Sequence, residues 1–161
     1  MSRSGDADAL KKLSDTSVMP EADTHAAAAA AVLEHLDHIE SGDIAQAISD
    51  YAEDAVLEVG EVGEGGNINS GTFRGHEAVG PWLDRWFSSF EHGSYRFTVE
   101  ESIENGDRVY MTLLSAARGE GSGVDVTLRT YHVFTVRDGL IARHAIGERD
   151  AMLREAGVKS A

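Results

Sequence analysis

Two histidines, His132 and His144, stand on the two arms of the segment RTYHVFTVRDGLIARHAIGERD, residues 129–150. Imidazole is the side chain best suited to exchanging protons near neutral pH. Two of them brought together on an apolar face will not both be charged, because burial and mutual repulsion both oppose protonation. At least one is then neutral, and suited to act as a general base or a hydrogen-bond donor. A purely structural pair, bonded to each other, to Thr130 or to water, is the other reading of the same residues.

Whether the two rings meet depends on the strands that carry them. In VDVTLRTYHVFTV the apolar face is made by Val124, Val126, Leu128, Phe134 and Val136, and Thr130 and His132 are polar islands within it. A two-residue loop at Asp138-Gly139 places His132 opposite Ala145 and turns His144 to the polar face. A three-residue loop, Arg137-Asp138-Gly139, with a bulge at Gly139, pairs Val136 with Leu140 and His132 with His144. That second register gives the last strand an inner face of Leu140, Ala142 and Ile146 and sends Arg143 outward, whereas the first buries an unpaired charge. The expectation is the bulged loop, with both histidines on the inner face and about 5 Å apart at Cβ.

The rest of the chain supplies helices to cover that face. Asp23 or Thr24 can cap a helix through HAAAAAAVLEHLDHIESG, with Val32, Leu36 and Ile39 as its stripe and His35 at the stripe's edge. Gly42 ends it, and Asp43 caps a second helix, DIAQAISDYAED, with Ile44, Ala47, Ile48 and Tyr51 on one side. AVLEV is a short strand. GEVGEGGNINSG, residues 60–71, is a long glycine-rich loop, and its length fits a lid, a binding loop or disorder. HEAVGPWLDRWFSSF is a third helix with Val79, Trp82, Leu83, Trp86, Phe87 and Phe90 on one stripe; Pro81 predicts a kink there or a start near Gly80. Two hairpins follow, the first turning at NGD, and RDAMLREAGV makes a closing helical turn or two. The order predicts an α+β domain, with helices on one face of a curved antiparallel sheet.

Composition limits the partners. The 161 residues fit one domain. Residues 1–23 are expected as a disordered N-terminal tail, 24–157 as the domain and 158–161 as a C-terminal tail. With no cysteine, thiolate chemistry is excluded. A net charge of −14, from 28 acidic and 14 basic residues, suits neither nucleic acid nor an anionic membrane. No apolar run is long enough for a membrane span and no secretory leader is evident, so a cytoplasmic protein is expected.

From about Val32 to Gly157 the chain resembles the nuclear transport factor 2-like superfamily, specifically its SnoaL-like small-molecule members. The resemblance rests on VLEHLDHIESGDIAQAISDYAEDAVLEV, GTFRGHEAVGPWLDRWF and HVFTVRDGLI. The opening is similar to those of limonene epoxide hydrolase and ketosteroid isomerase. The resemblance implies a cone-shaped curved antiparallel sheet on three N-terminal helices, a cystatin-like α+β barrel with a deep apolar pocket. It does not imply one reaction, since the superfamily holds isomerases, cyclases, dehydratases, hydrolases and non-enzymes. The catalytic Asp-Arg-Asp set of the limonene epoxide hydrolases falls on Ser115, Leu113 and Ile146, and its water-holding Tyr and Asn on Leu57 and Val59. None is retained, so that hydrolysis is not expected. The isomerase base falls on Val59, with Glu58 and Glu61 near but in another register. The isomerase oxyanion-hole positions fall on His35 and His132, which remain polar. His132 fits the acid/base pattern of the cyclases, whose acidic position on the last strand is Ile146 here.

These readings converge on an apolar pocket with a few polar groups, the usual form of a small-ligand site. His132, His144 and His35 are the candidate catalytic residues. Tyr51, Leu57, Val59, Leu83, Trp86, Phe90, Leu113, Ser115, Thr130 and Ile146 are the candidate substrate contacts, with Val32 and Leu36 beside them. No spacing enforces a zinc site on the three histidines, and neither metal nor cofactor is expected. The expected ligand is a hydrophobic polyketide-, terpenoid- or steroid-like molecule, turned over by histidine acid/base chemistry or held by a non-catalytic module of the same fold. Tyr110, Leu114, Tyr131 and Val133 make the outer sheet face apolar, and a homodimer through that face is expected.

Overall fold

The computed structural model describes residues 20–60 and 70–158. Most of the glycine-rich loop, residues 61–69, and both expected tails beyond these limits lie outside the described residues. Helix α1 spans Pro20–Glu40, beginning upstream of the expected cap. Its buried stripe is Ala28, Val32, Leu36 and Ile39, and His35 is buried with it. The chain turns at Gly42, where φ is +82° and the ring of His92 occupies the space a Cβ would need. Asp43 then caps α2 (Ile44–Ser49), its Oδ1 accepting from the Gln46 backbone N–H at 3.1 Å.

Tyr51 does not continue α2. It opens strand β1 (Tyr51–Val59), which lies parallel to the last strand, with Tyr51 opposite Ile141 and Val59 opposite Ile146. The Ile141 N–H also donates to the Asp50 carbonyl at 2.8 Å. The helical periodicity of Ile44, Ala47, Ile48 and Tyr51 was a local signal, and pairing with residues ninety positions away in sequence overrides it. A short strand unseen in the sequence, β2 (Gly71–Arg74), pairs antiparallel with β1. Helix α3 (His76–Phe87) runs unbroken through Pro81 rather than starting near Gly80. His76 anchors its first turn by donating from Nε2 to the Tyr51 carbonyl at 2.7 Å.

Strands β3 (Arg96–Asn105), β4 (Arg108–Arg118), β5 (Asp125–Arg137) and β6 (Leu140–Gly147) complete the sheet, and α4 (Arg149–Glu155) follows. The strand order is β2-β1-β6-β5-β4-β3. This corrects the expected cystatin-like antiparallel barrel in two respects. The β1–β6 pairing is parallel, so the sheet is mixed. Strands β2 and β3 are its two edges and do not pair with one another, so it stays open. The main core fills the side facing α1 and α3, with Val32, Leu36, Leu57, Val79, Leu83, Met111 and Phe134 among its members.

The outer face is also covered within the chain. Tyr110 and Val133 are buried with Ala145 beneath Met152, Leu153 and Ala156 of the α4 region. Burying Met152 and Leu153 stabilises this arrangement by roughly 2 kcal/mol each. Half of the surface read from sequence as a subunit contact is therefore taken up by α4, and Leu114 and Tyr131 remain half-buried.

The β5–β6 hairpin follows neither register weighed from sequence along its whole length. The loop is the two-residue one: Arg137 pairs with Leu140, Val136 with Ile141, and Asp138 and Gly139 have φ of 53° and 78°. These are the positive angles of a type I′ turn. A bulge then follows on β6, so that Thr135 faces Arg143 and Phe134 faces His144. The expected pairing of His132 with His144 is corrected: His132 lies opposite Ile146. The extra residue flips the remainder of β6, turning His144 and Ile146 inward and Arg143 outward. Outside, Arg143 pairs with Glu58 at 2.6 Å and Glu155 at 2.8 Å.

A Cβ at Gly139 would meet no atom within 4 Å, so Gly139→Ala tests backbone conformation alone. It should destabilise the domain by about 1 kcal/mol in urea denaturation with unchanged slope. An unaltered midpoint would mean the turn does not hold this conformation.

Candidate active site

A cavity of about 380 Å³ lies between the concave side of the sheet and helices α1 and α3. One wall is aromatic. Trp82 and Trp86, one helical turn apart on α3, stack with their planes 6° apart, and Phe87 meets the Tyr95 ring edge-on at 4.9 Å. Tyr95, Phe97 and Leu128 extend this wall across the sheet. Burial drives the Tyr95 phenol upward from its ordinary pKa, so it remains protonated.

Four polar side chains of the lining form one continuous chain. The Tyr51 hydroxyl is 2.7 Å from His144 Nδ1. His144 Nε2 is 2.9 Å from His132 Nδ1. His132 Nε2 is 2.6 Å from Thr130 Oγ1. Four side chains from three strands thus satisfy one another inside an apolar interior, as buried polar groups must. The bulge is what makes this possible: it sets His144 diagonally from His132, with ring centroids 5.1 Å apart. Phe134 stacks against both rings, at 4.1 Å from His144 and 5.7 Å from His132.

Burial governs the charge of the pair. It pushes His132 down to about 3, and the neighbouring His35 imidazole acts in the same direction. It holds His144 well below the usual imidazole range, reinforced by His132 and then His35. Both rings are neutral at pH 7, each with one N–H and one lone pair. The Tyr51 phenol is likewise pushed up by burial and stays protonated. His35 approaches from α1, its ring edge-on to Tyr51 at 5.1 Å and its Nδ1 2.8 Å from Asp50 Oδ2.

Most residues singled out from sequence meet here. His35, Tyr51, Val59, Leu83, Trp86, Leu113, Ser115, Thr130, His132, His144 and Ile146 all line the cavity, with Leu36. Leu57 and Val32 do not; both pack in the core with no exposure. Phe90 lies behind the wall, against Trp86 and Tyr95. Sequence reasoning missed Ile39, Trp82, Phe87, Tyr95, Phe97 and Leu128 as wall residues. The first three were visible only as helix stripes, a pattern that cannot separate core from cavity lining. It also missed Asp50. Among the described residues, no three or more histidines and carboxylates gather into a metal-binding group.

The buried pair has a consequence for stability. Below the unfolded-state value of 6.5, unfolded His132 and His144 bind protons that the folded chain refuses. Stability from these groups is complete above about pH 6.5 and is lost as pH falls toward 3, at up to about 1.4 kcal/mol per pH unit for each histidine. Asp50, held low on balance, adds loss of the same sign on acidification; His38, raised, acts oppositely, losing its contribution as pH rises. Thermal melts should therefore drop steeply between pH 6.5 and 4, and His132→Leu should flatten the drop. A wild-type melting temperature independent of pH across that window would contradict neutral burial.

A comparison with curated proteins finds no match. Solved structures do resemble the chain. TerC, co-crystallised with polyporic acid, is 25% identical, with a TM-score of 0.62 over 81% of this chain and 97% of that one. RV0760c from Mycobacterium tuberculosis, in complex with estradiol-17beta-hemisuccinate, is 20% identical, with a TM-score of 0.63 over 78% and 96%. A putative isomerase from Bacillus subtilis is 18% identical, with a TM-score of 0.62 over 86% and 96%. The last two likenesses bear on fold alone. The family model for the SnoaL-like domain matches residues 32–144, from the buried stripe of α1 to the second histidine of the hairpin, and the chain belongs to that family.

Proposed function

We propose that the protein is an enzyme that moves a proton between two positions of a hydrophobic, oxygen-bearing small molecule held in the cavity. The observation that carries this is the Tyr51–His144–His132–Thr130 chain, whose two hydroxyl ends both line the same cavity. Neutral imidazoles give the chain one sense of donation at a time. In one sense Thr130 donates to His132 Nε2, His132 Nδ1–H to His144 Nε2, and His144 Nδ1–H to Tyr51, whose hydroxyl hydrogen is free for the ligand. A proton taken from the ligand at Thr130 shifts each hydrogen one place along, and Tyr51 returns one to the ligand. Every atom balances, and no imidazole has to retain the charge that burial makes costly. Such a transfer suits isomerisation, cyclisation, dehydration or epoxide opening.

The lining favours the ligand class. Among the described residues its lining includes no lysine, arginine or carboxylate, which suits a largely apolar, ring-built molecule with oxygens at the His132–Thr130 end. The 25%-identical TerC, crystallised with polyporic acid, supports an oxygen-bearing small molecule as the ligand. That no carboxylate lines the cavity among the described residues also favours a second reading, a binding module that retains such a molecule without turning it over. A homodimer would use what α4 leaves uncovered of the outer face, around Leu114 and Tyr131.

The test uses Thr130→Val and Tyr51→Phe, which cut the two ends and keep the apolar shape. Against a panel of polycyclic enones and aryl phenols, each should lower turnover about 10²- to 10⁴-fold with binding retained. His132→Ala should do the same, its fold confirmed by circular dichroism. Turnover that survives both end cuts rejects the relay. Tight binding with no turnover in the wild type favours the binding module.

A further inference from the structure

The relay leaves one cavity histidine out. His35 is 1% exposed, lines the cavity and donates from Nδ1 to Asp50 Oδ2 at 2.8 Å. His38, one helical turn on and partly exposed, donates from its own Nδ1 to the same oxygen at 2.8 Å. Gln46 reaches the other carboxylate oxygen at 3.4 Å. Asp50 sits at the junction of α2 and β1, immediately before Tyr51.

The carboxylate decides the histidine's tautomer. Burial raises Asp50, but hydrogen bonds from His35 and His38 outweigh it and hold the carboxyl below its usual range. An ionised carboxylate only accepts, so both Nδ1 atoms carry hydrogen. A neutral His35 therefore has its lone pair on Nε2, which has no hydrogen-bond partner among the described residues.

We infer that Asp50 is the positioning residue of a second acid/base group in the cavity, His35, with Nε2 as its reacting atom, and that His38 competes from the surface for the same carboxylate oxygen. This rests on the cavity being the ligand site, as proposed above. His132 and His144 have no carboxylate partner and can pass protons but not hold one. His35 can hold one, because the resulting positive charge lies beside the Asp50 carboxylate. The step balances within the pair: a ligand proton moves onto Nε2, the Nδ1–H stays on Oδ2, and Nε2 later returns the proton. The groups facing His38 are Asp50, Glu34 and Asp43; those facing Asp50 are His35, His38 and Gln46. A protonated His38 draws on the charge of Oδ2 and so weakens the support given to His35.

Nitrogen-15 NMR of the histidine rings, with 4-nitrophenol as the cavity probe and its absorbance as a second readout, tests this without turnover. In the wild type, His35 should be the Nδ1–H tautomer, and 4-nitrophenol should shift its Nε2 resonance and bind in part as the yellow anion. Asp50→Asn, which retains an acceptor but not the charge, should keep the tautomer and lose most of the bound anion. Asp50→Ala should lose both. His38→Gln should keep the tautomer and raise the bound anion fraction below pH 7. An Nε2–H tautomer in the wild type, or a bound anion fraction unchanged by Asp50→Asn, overturns the inference. If 4-nitrophenol shifts His132 and His144 but not His35, the role of His35 fails while the cavity reading stands. If it shifts none of the three, the cavity reading fails and the inference with it.

Discussion

Two imidazoles buried in an apolar interior have to find their partners in each other. An unpaired buried polar nitrogen costs about 1–3 kcal/mol. His132 and His144 meet this condition through a single 2.9 Å hydrogen bond, and Thr130 and Tyr51 close the remaining nitrogens. Much of the architecture can be traced to that requirement. It needs both rings on the concave face, a diagonal offset between them, and a hydroxyl from outside the hairpin.

The hairpin provides the first two through a tight turn followed by a bulge. A regular continuation of the turn would put His144 on the outer face and Arg143 inside. One additional residue on β6 reverses both, so the same irregularity that assembles the site lets Arg143 reach Glu58 and Glu155. Bulges often re-aim side chains beside active sites. The hydroxyl comes from β1, whose parallel alignment with β6 places Tyr51 in the cavity lining beside His144. Asp50, the residue before it, faces the other way and holds two histidines of α1. One chain junction therefore serves two separate polar networks.

These networks differ in what they can hold. The hairpin pair is buried without a carboxylate and stays neutral across the physiological range. His35 is as deeply buried but shares its position with an ionised Asp50. In a cavity whose remaining surface is mostly aromatic and aliphatic, one polar network is without a carboxylate and the other is built around one. The aromatic wall adds shape and apolar area, and its one phenol, Tyr95, is kept protonated by burial.

The sequence alone determined the helices, the four C-terminal strands, and the face on which His132, Thr130 and Phe134 lie, because periodicity within one element is a local property. It also placed His144 on the inner face, since the alternative left Arg143 buried without a partner. It could not determine the way that was achieved, because a turn of two residues with a bulge and a turn of three give the same alternation. It assigned Tyr51 to a helix, since local propensity carries no trace of a strand partner far along the chain. The parallel pairing of β1, the open edge at β2 and the covering of Tyr110 and Val133 by α4 are likewise long-range. So is the meeting of His35, His38 and Asp50: hydrogen-bond distances between elements are fixed only when the elements pack, and only the tertiary structure decides them.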